Sequence, residues 1–219
     1  MGYWQTTDVR TGLVLWCSSG AGVLRVLPDL HADLMFWRGG LHIAGYDTRA
    51  HDYDRGDGDT TYGVRLPPGA LAPVLRDSAL HAVDERIALA PRRGDLLSIA
   101  TRLLADADVE TRCATAVLAQ ARAGTRVAGV AAELGWSARR LHRFCHNNFG
   151  MPFATLRGLY RFRFAHDLLS DGLCPADVAA RTGYADQSHL TREVGRFAMT
   201  TPARIHASTV ASGTSAGLE

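Results

Sequence analysis

The sequence predicts an α+β protein. A small β-rich N-terminal domain is followed by an all-α domain with two helix-turn-helix motifs joined by a linker helix. Three observations predict this. Residues 1–66 carry short apolar runs broken by Gly, Asp and Pro. From Ala70 onward the apolar residues recur at helical spacing. Among those helical residues a single pattern occurs twice. The expected domains are 1–107, a β-rich domain with terminal helices, and 108–207. Residues 208–219 are expected to form a disordered tail.

The chain has 219 residues, 47% hydrophobic, enough for one large or two small cores. With 21% charged residues it is not the composition of a disordered protein. No stretch approaches the roughly 18 apolar residues that a membrane span needs. The first ten residues lack an apolar signal core, so a cytoplasmic location is expected, with no membrane partner. Cys17, Cys113, Cys145 and Cys174 are scattered and form no C-x-x-C pair. They read as reduced, mostly buried thiols.

Each β element rests on a short run: 13–17, 23–27, 33–37, 41–44 and 61–66. Pro67-Pro68-Gly69 closes that section. Helices are expected at 70–76, 95–105 and 109–123. Asp95 and Asp108 are the expected N-caps and Gly124 the expected stop.

The repeat is Val130-Ala131-Ala132-x-x-Gly135-Trp136, which returns as Val178-Ala179-Ala180-x-x-Gly183-Tyr184. In the first copy Val127, Val130, Ala131 and Leu134 make one apolar face of a short helix. Gly135 permits the turn and Trp136 plugs it as a core aromatic. Ser137 caps a second helix, 138 to about 148. There Leu141, Phe144, Cys145 and Phe149 face inward. Arg139, Arg140, Arg143 and His146 point outward, and His142 borders both faces. In the second copy Val178, Ala179 and Thr182 build the first helix, and Tyr184 is the core plug. Asp186 caps 187–197, with Leu190, Val194 and Phe197 inward. Gln187, Ser188, His189, Thr191, Arg192 and Arg196 are left outside. Between the copies, 154–170 is an amphipathic helix ended by Gly172.

Charge agrees with this layout. Residues 125–219 hold eleven arginines against seven acids, and the remainder of the chain is slightly acidic. A basic domain beside an acidic one suits a polyanion partner. An Arg-rich second helix is the element that a helix-turn-helix lays in a DNA major groove. Arg there can fork onto guanine and Gln onto adenine.

These residues resemble the AraC/XylS family of transcription regulators. The resemblance covers roughly 110–206. It rests on the repeated turn and on the Leu-x-Arg that follows each copy, Leu141/Arg143 and Leu190/Arg192. It rests also on the linker pattern Arg161-Phe162-x-x-Ala165-x-x-Leu168-Leu169 and the closing Thr201-Pro202. The resemblance implies a DNA-binding domain with base-contact roles for Arg139, His142 and Arg143. In the second copy it implies them for Gln187, Ser188, His189 and Arg192; Arg196 joins the expected DNA-binding set. Three features depart from the family pattern. After the first reading helix Gly150-Met151-Pro152-Phe153 stands where Gly-x-x-Pro is usual. Met199 stands where Gly is usual, and Gly195 replaces a residue that is normally basic. The segments Arg25-Val26-Leu27-Pro28-Asp29, Asp33-Leu34 and Ala44-Gly45-x-Asp47-Thr48 resemble small β-rich sensor domains of some actinobacterial members. Family N-terminal domains sense small molecules or dimerise.

The expected function is sequence-specific DNA-binding transcription regulation, controlled through the N-terminal domain by a small molecule. The alternative is an N-terminal domain that only dimerises or docks a protein. Expected partners are double-stranded DNA, a small-molecule effector, RNA polymerase and a second copy of the chain. His31, Asp33, His42, Asp47, His51 and Asp52 invite a metal reading. It competes with surface His and turn Asp, which is the reading kept: no metal and no cofactor. No nucleophile elbow, P-loop or dinucleotide fingerprint is present, so no enzyme is expected and no catalytic residue is named.

Overall fold

The structure, a computed structural model, describes residues 2–90, 94–105 and 108–207, without the side chains of 108–110. The tail expected at 208–219 lies outside the described residues. Eight strands come first: β1 (Gly2–Thr7), β2 (Val14–Ser19), β3 (Gly22–Val26), β4 (Ala32–Trp37), β5 (Gly40–Ala44), β6 (His51–Arg55), β7 (Thr60–Leu66) and β8 (Arg86–Ala88). They form a six-stranded sheet, β1-β2-β7-β4-β5-β8, and a two-stranded ribbon, β3-β6. All pairs are antiparallel.

The five expected apolar runs all become strands. β1, β6 and β8 have no counterpart among them. Every residue of β1 is exposed, and β6 reads His-Asp-Tyr-Asp-Arg, so neither carries an apolar alternation. β8 is three residues long.

One face of the large sheet is the N-terminal core. Leu34 lies opposite Ile43 on one side and Val64 on the other, and all three are fully buried. Burying three such side chains contributes roughly 1.5–3 kcal/mol each, an upper figure for a chain already partly collapsed when unfolded. Mid-strand Gly63 has a specific reason. It faces Trp16 across the β2–β7 ladder, and a Cβ there would sit 2.1 Å from the indole.

The helices follow: α1 (Leu71–Leu75), a 3-10 turn (Ala79–Ala82), α2 (Leu96–Leu103), α3 (Asp108–Arg122), α4 (Val127–Glu133), α5 (Ala138–Phe149), α6 (Phe153–Ser170), α7 (Pro175–Arg181) and α8 (Gln187–Ala198). Residues 202–207 are helical again. Asp95 caps α2 by accepting from Ser98 N at 2.9 Å, as expected. Asp108 is instead the first helical residue of α3. In α3 the buried Ala114, Val117, Leu118 and Ala121 recur at helical spacing, and the helix packs on α6. No described helix is long and apolar enough to cross a membrane.

The β-rich and helical regions share one continuous apolar core. Their seam lies at the C-terminal ends of α5 and α8. Tyr46 packs on Phe149, ring centroids 5.6 Å apart. Ser78 Oγ donates to His146 O at 3.4 Å. Gly150 closes α5 in a left-handed conformation, φ 67°. A Cβ on it would meet Val83 Cγ2 at 2.2 Å and Ala79 O at 2.9 Å, so only glycine lets the 3-10 turn come this close. At α8 the tie is the hydrogen bond from Ala50 N to Phe197 O at 2.7 Å.

Candidate nucleic-acid interface

Each motif is built from a short helix, a glycine turn and a longer capped helix. In the first, α4 ends at Gly135 (φ 63°); in the second, α7 ends at Gly183 (φ 73°). The same backbone bond closes both turns: Trp136 N to Ala131 O at 2.8 Å and Tyr184 N to Ala179 O at 3.1 Å. The repeat in the sequence is therefore a repeat in the backbone. Ser137 then caps α5 by accepting from Arg140 N (3.1 Å), and Asp186 caps α8 by accepting from His189 N (2.6 Å). The second turn is one residue longer, because Ala185 stands between the aromatic and the cap.

Counting from each cap shows which side chains correspond. Leu141, Cys145 and Phe149 in α5 match Leu190, Val194 and Ala198 in α8, and all six are fully buried. Burial pushes the Cys145 thiol up to about 12, which keeps it protonated and inert. The inward faces bind each long helix to its short partner and to α6. Arg161 of α6 stacks on Tyr184 (4.3 Å) and donates to Glu193 at 2.9 Å, locking the second motif to the linker helix.

The outward faces hold the expected contact residues. Arg139, His142 and Arg143 on α5 are exposed, as are Gln187, Ser188, Arg192 and Arg196 on α8. Arg143 and Arg192 occupy the same position after their caps, and neither makes an ion pair among the described residues. Arg196 is committed in part, 3.8 Å from Glu193 and stacked on Phe197 at 4.8 Å.

His189 differs from the rest of the set. It is half-buried, its ring meets Tyr184 edge-on at 5.1 Å, and its Nδ1 accepts from Ala185 N at 3.5 Å. Arg140, at the same position in the first copy, leans over Trp136 at 4.7 Å. Both copies thus use this position to cover the plug aromatic. Thr191, outside the expected contact set, is exposed where the first copy has His142. Three orientations depart from the periodicity reading. Val127 is exposed, Trp136 is half-buried rather than core, and His146 is half-buried against His142 rather than outward. In each case the neighbouring helix covers less or more than a single helix face can tell.

Residues 130–207 match a family model described as a helix-turn-helix domain. This segment is an AraC-type helix-turn-helix domain. As such it is a DNA-binding module of transcription regulation. The AraC-type domain begins within α4 and takes in both motifs and the linker helix.

A comparison with curated proteins finds no match. Among solved structures, the chain is similar to the C-terminal domain of AraT, a response regulator from Geobacillus stearothermophilus. Identity is 22% and the TM-score 0.38, over 42% of this chain and 84% of that one. It is also similar to apo ToxT K231A from Vibrio cholerae, at 9% identity and TM-score 0.46, covering 90% of this chain and 98% of that one. ToxT bound to (E)-4-(8-methylnaphthalen-1-yl)but-3-enoic acid gives 9% identity and TM-score 0.48, covering 95% and 100%.

The N-terminal His/Asp set does not converge as a group. Asp52 pairs with Arg25 at 2.8 Å, His31 sits 3.3 Å from Asp29, and His42 lies 3.1 Å from Gly40 O. Only Asp47 and His51 meet, and they meet Asp84, which lies outside the sequence-derived set; their ligand atoms lie within 4.8 Å of one another. Those atoms are already engaged. Arg86 forks onto Asp47 (2.8 and 3.0 Å), and Asp84 accepts from Thr48 N at 2.8 Å. Of the four thiols, Cys17 and Cys145 are buried, Cys113 is half-buried and Cys174 is exposed, so burial is less general than expected.

Proposed function

We propose that this chain binds duplex DNA sequence-specifically through α5 and α8, and that its β-rich N-terminal region tunes that binding in response to a small molecule. The observation that carries the DNA reading is the register of the two copies. Arg143 and Arg192 stand at one position after matched caps, exposed and without acidic partners among the described residues, on helices whose other faces are fully committed to the core. Arg139, His142, Gln187 and Ser188 extend the two faces toward base edges, and Arg196, tied to Glu193, serves a phosphate. His189 supports the turn behind them.

Two features support control from the N-terminal region. A cavity lies between the β-sheet and the β3–β6 ribbon. The segment that leaves it, Ala44-Gly45-Tyr46-Asp47, touches Phe149 through Tyr46 and continues to Ala50, whose N–H holds the end of α8. A molecule that shifts this segment acts on both reading helices. The competing reading, a region that only dimerises, draws on β1, an exposed edge strand with Tyr3 and Trp4 more than half exposed.

Footprinting the full chain on DNA upstream of its own gene, followed by titration against salt, tests the reading. A protected site is expected. Its affinity should fall roughly 10³–10⁵-fold between 50 and 200 mM salt if about 6–10 phosphates are neutralised. A flat salt response, or equal affinity for all sequences, would sink it.

A further inference from the structure

A groove of about 820 Å³ lies between the β-rich and helical regions. Residues 29–31 form one wall. The end of α3, one side of α6 and the turn after α7 form the others, and the walls include no residue of α5 or α8. The volume falls in the range of sites that hold a small organic ligand, roughly 300–1,000 Å³.

The groove is cationic. Arg122, Arg157, Arg163 and Arg181 line it, and none of the four makes an ion pair among the described residues. Arg157 and Arg163 are half-buried, so their charges are partly stripped of water with no acid to compensate. Other charges along the groove are already committed. Arg161 donates to Glu193 at 2.9 Å, and Asp29 lies 3.3 Å from His31 and 3.8 Å from Arg65. Asp167 is mostly exposed and 3.9 Å from His166. Like charges gathered in a cleft focus a field that attracts anions. Guanidinium forks match phosphate oxygens, and several forks take more oxygens than one carboxylate carries.

The groove also has an aromatic face. Tyr160 and Phe164 stand four residues apart on α6, and both line it. Phe164 is 54% exposed. A half-bare phenyl ring beside unpaired guanidiniums is a surface for a planar ring with an anionic tail.

We propose that this groove binds a phosphorylated compound with an aromatic ring, of the nucleoside-diphosphate class, its ring on Phe164 and Tyr160 and its phosphates on Arg157 and Arg163 with Arg122 and Arg181 beside them. A DNA backbone would use the arginines but not the two rings, which favours the small ligand. The walls come from both regions and reach Gly183, the turn that opens the second motif, so a bound ligand joins the β-rich region to that motif. The binding itself does not depend on the DNA reading of α5 and α8.

The test is calorimetric titration of the full-length chain with ADP, adenosine and pyrophosphate in buffer free of divalent cations. ADP should bind at least about tenfold tighter than adenosine, which lacks the charge, and than pyrophosphate, which lacks the ring. Phe164→Ala should remove the advantage of ADP over pyrophosphate and leave pyrophosphate affinity where it was. Arg157→Gln combined with Arg163→Gln should weaken ADP and pyrophosphate alike, by about tenfold or more. Melting curves report the folding of each variant. Phe164→Ala, at an exposed ring, keeps the test decisive if the double variant does not fold. Adenosine or pyrophosphate binding as tightly as ADP overturns the proposal. So does ADP affinity that survives both the Phe164 and the paired arginine substitutions. Loss of ADP binding in Arg143→Ala with Arg192→Ala, but not in the paired Gln variant, would place the anion on the reading helices and overturn it as well. If no probe binds at millimolar concentration while the footprint persists, this site alone fails and the DNA reading stands.

Discussion

The two helix-turn-helix copies have the same turn, the same kind of cap and the same buried positions, yet they end differently. Both reading helices close on a left-handed residue whose N–H bonds back four residues: Gly150 to His146 O and Met199 to Gly195 O. Gly150 is buried under the 3-10 turn of the N-terminal region; Met199 is 57% exposed. The first copy is wedged against the β-rich region by Ser78, Tyr46 and Val83, the second hangs from it by Ala50. Duplication thus preserves what a motif needs internally, while its surroundings decide which copy the rest of the protein grips.

That contrast can be broken experimentally. The largest effect is expected at Gly150→Ala. The added Cβ combines left-handed strain with overpacking against Val83 and Ala79, about 3 kcal/mol together. Denaturant melts should show it; a loss under about 1 kcal/mol would mean that the first copy is not wedged.

Arg143→Ala and Arg192→Ala should each weaken operator binding by about 1–3 kcal/mol and relax one base preference, measured by anisotropy on a mutated-site panel. Similar effects sharpen the case for equivalent roles. A uniform loss on every sequence would make them phosphate contacts.

The sheet behind the wedge carries its own weak point. Burial raises the Asp33 carboxyl from 3.8 to about 6, against the hydrogen bond from Trp16. The folded state therefore holds its proton more tightly than the unfolded state. Ionised Asp33 costs stability above pH 6, and the cost is relieved as pH falls from about 6 to 3.8. Asp33→Asn should stabilise the protein by about 2 kcal/mol at pH 8 and by little at pH 4. Parallel pH–stability curves for the two proteins would show that Asp33 is not strained.

The smallest effect is the mirror of the first. Met199→Gly should stabilise by about 0.5–1 kcal/mol, since glycine adopts the left-handed cap freely and the side chain it replaces is exposed. Destabilisation would mean that Met199 contributes packing that its exposure does not suggest.

The helical half was legible because its determinants are local. Ser137 and Asp186 cap from their own side chains, Gly135 and Gly183 turn from their own backbone freedom, and Leu190, Val194 and Phe197 fall on one face by period alone. The outward Arg faces followed from the same count. What tertiary structure decided was everything that depends on distant chain. β6 has no apolar pattern and exists because Arg25, opposite Asp52, and the rest of β3 pair with it. His189 is spent on Tyr184, which no count from the cap reveals. Asp84 meets Asp47 and His51 across more than thirty residues, and Arg55 is left unpaired only because of where the two sheets bring it. Helices are set by neighbours four residues apart, so a sequence states them; sheets, cavities and unsatisfied charges are set by which remote strands meet, and only folding settles that.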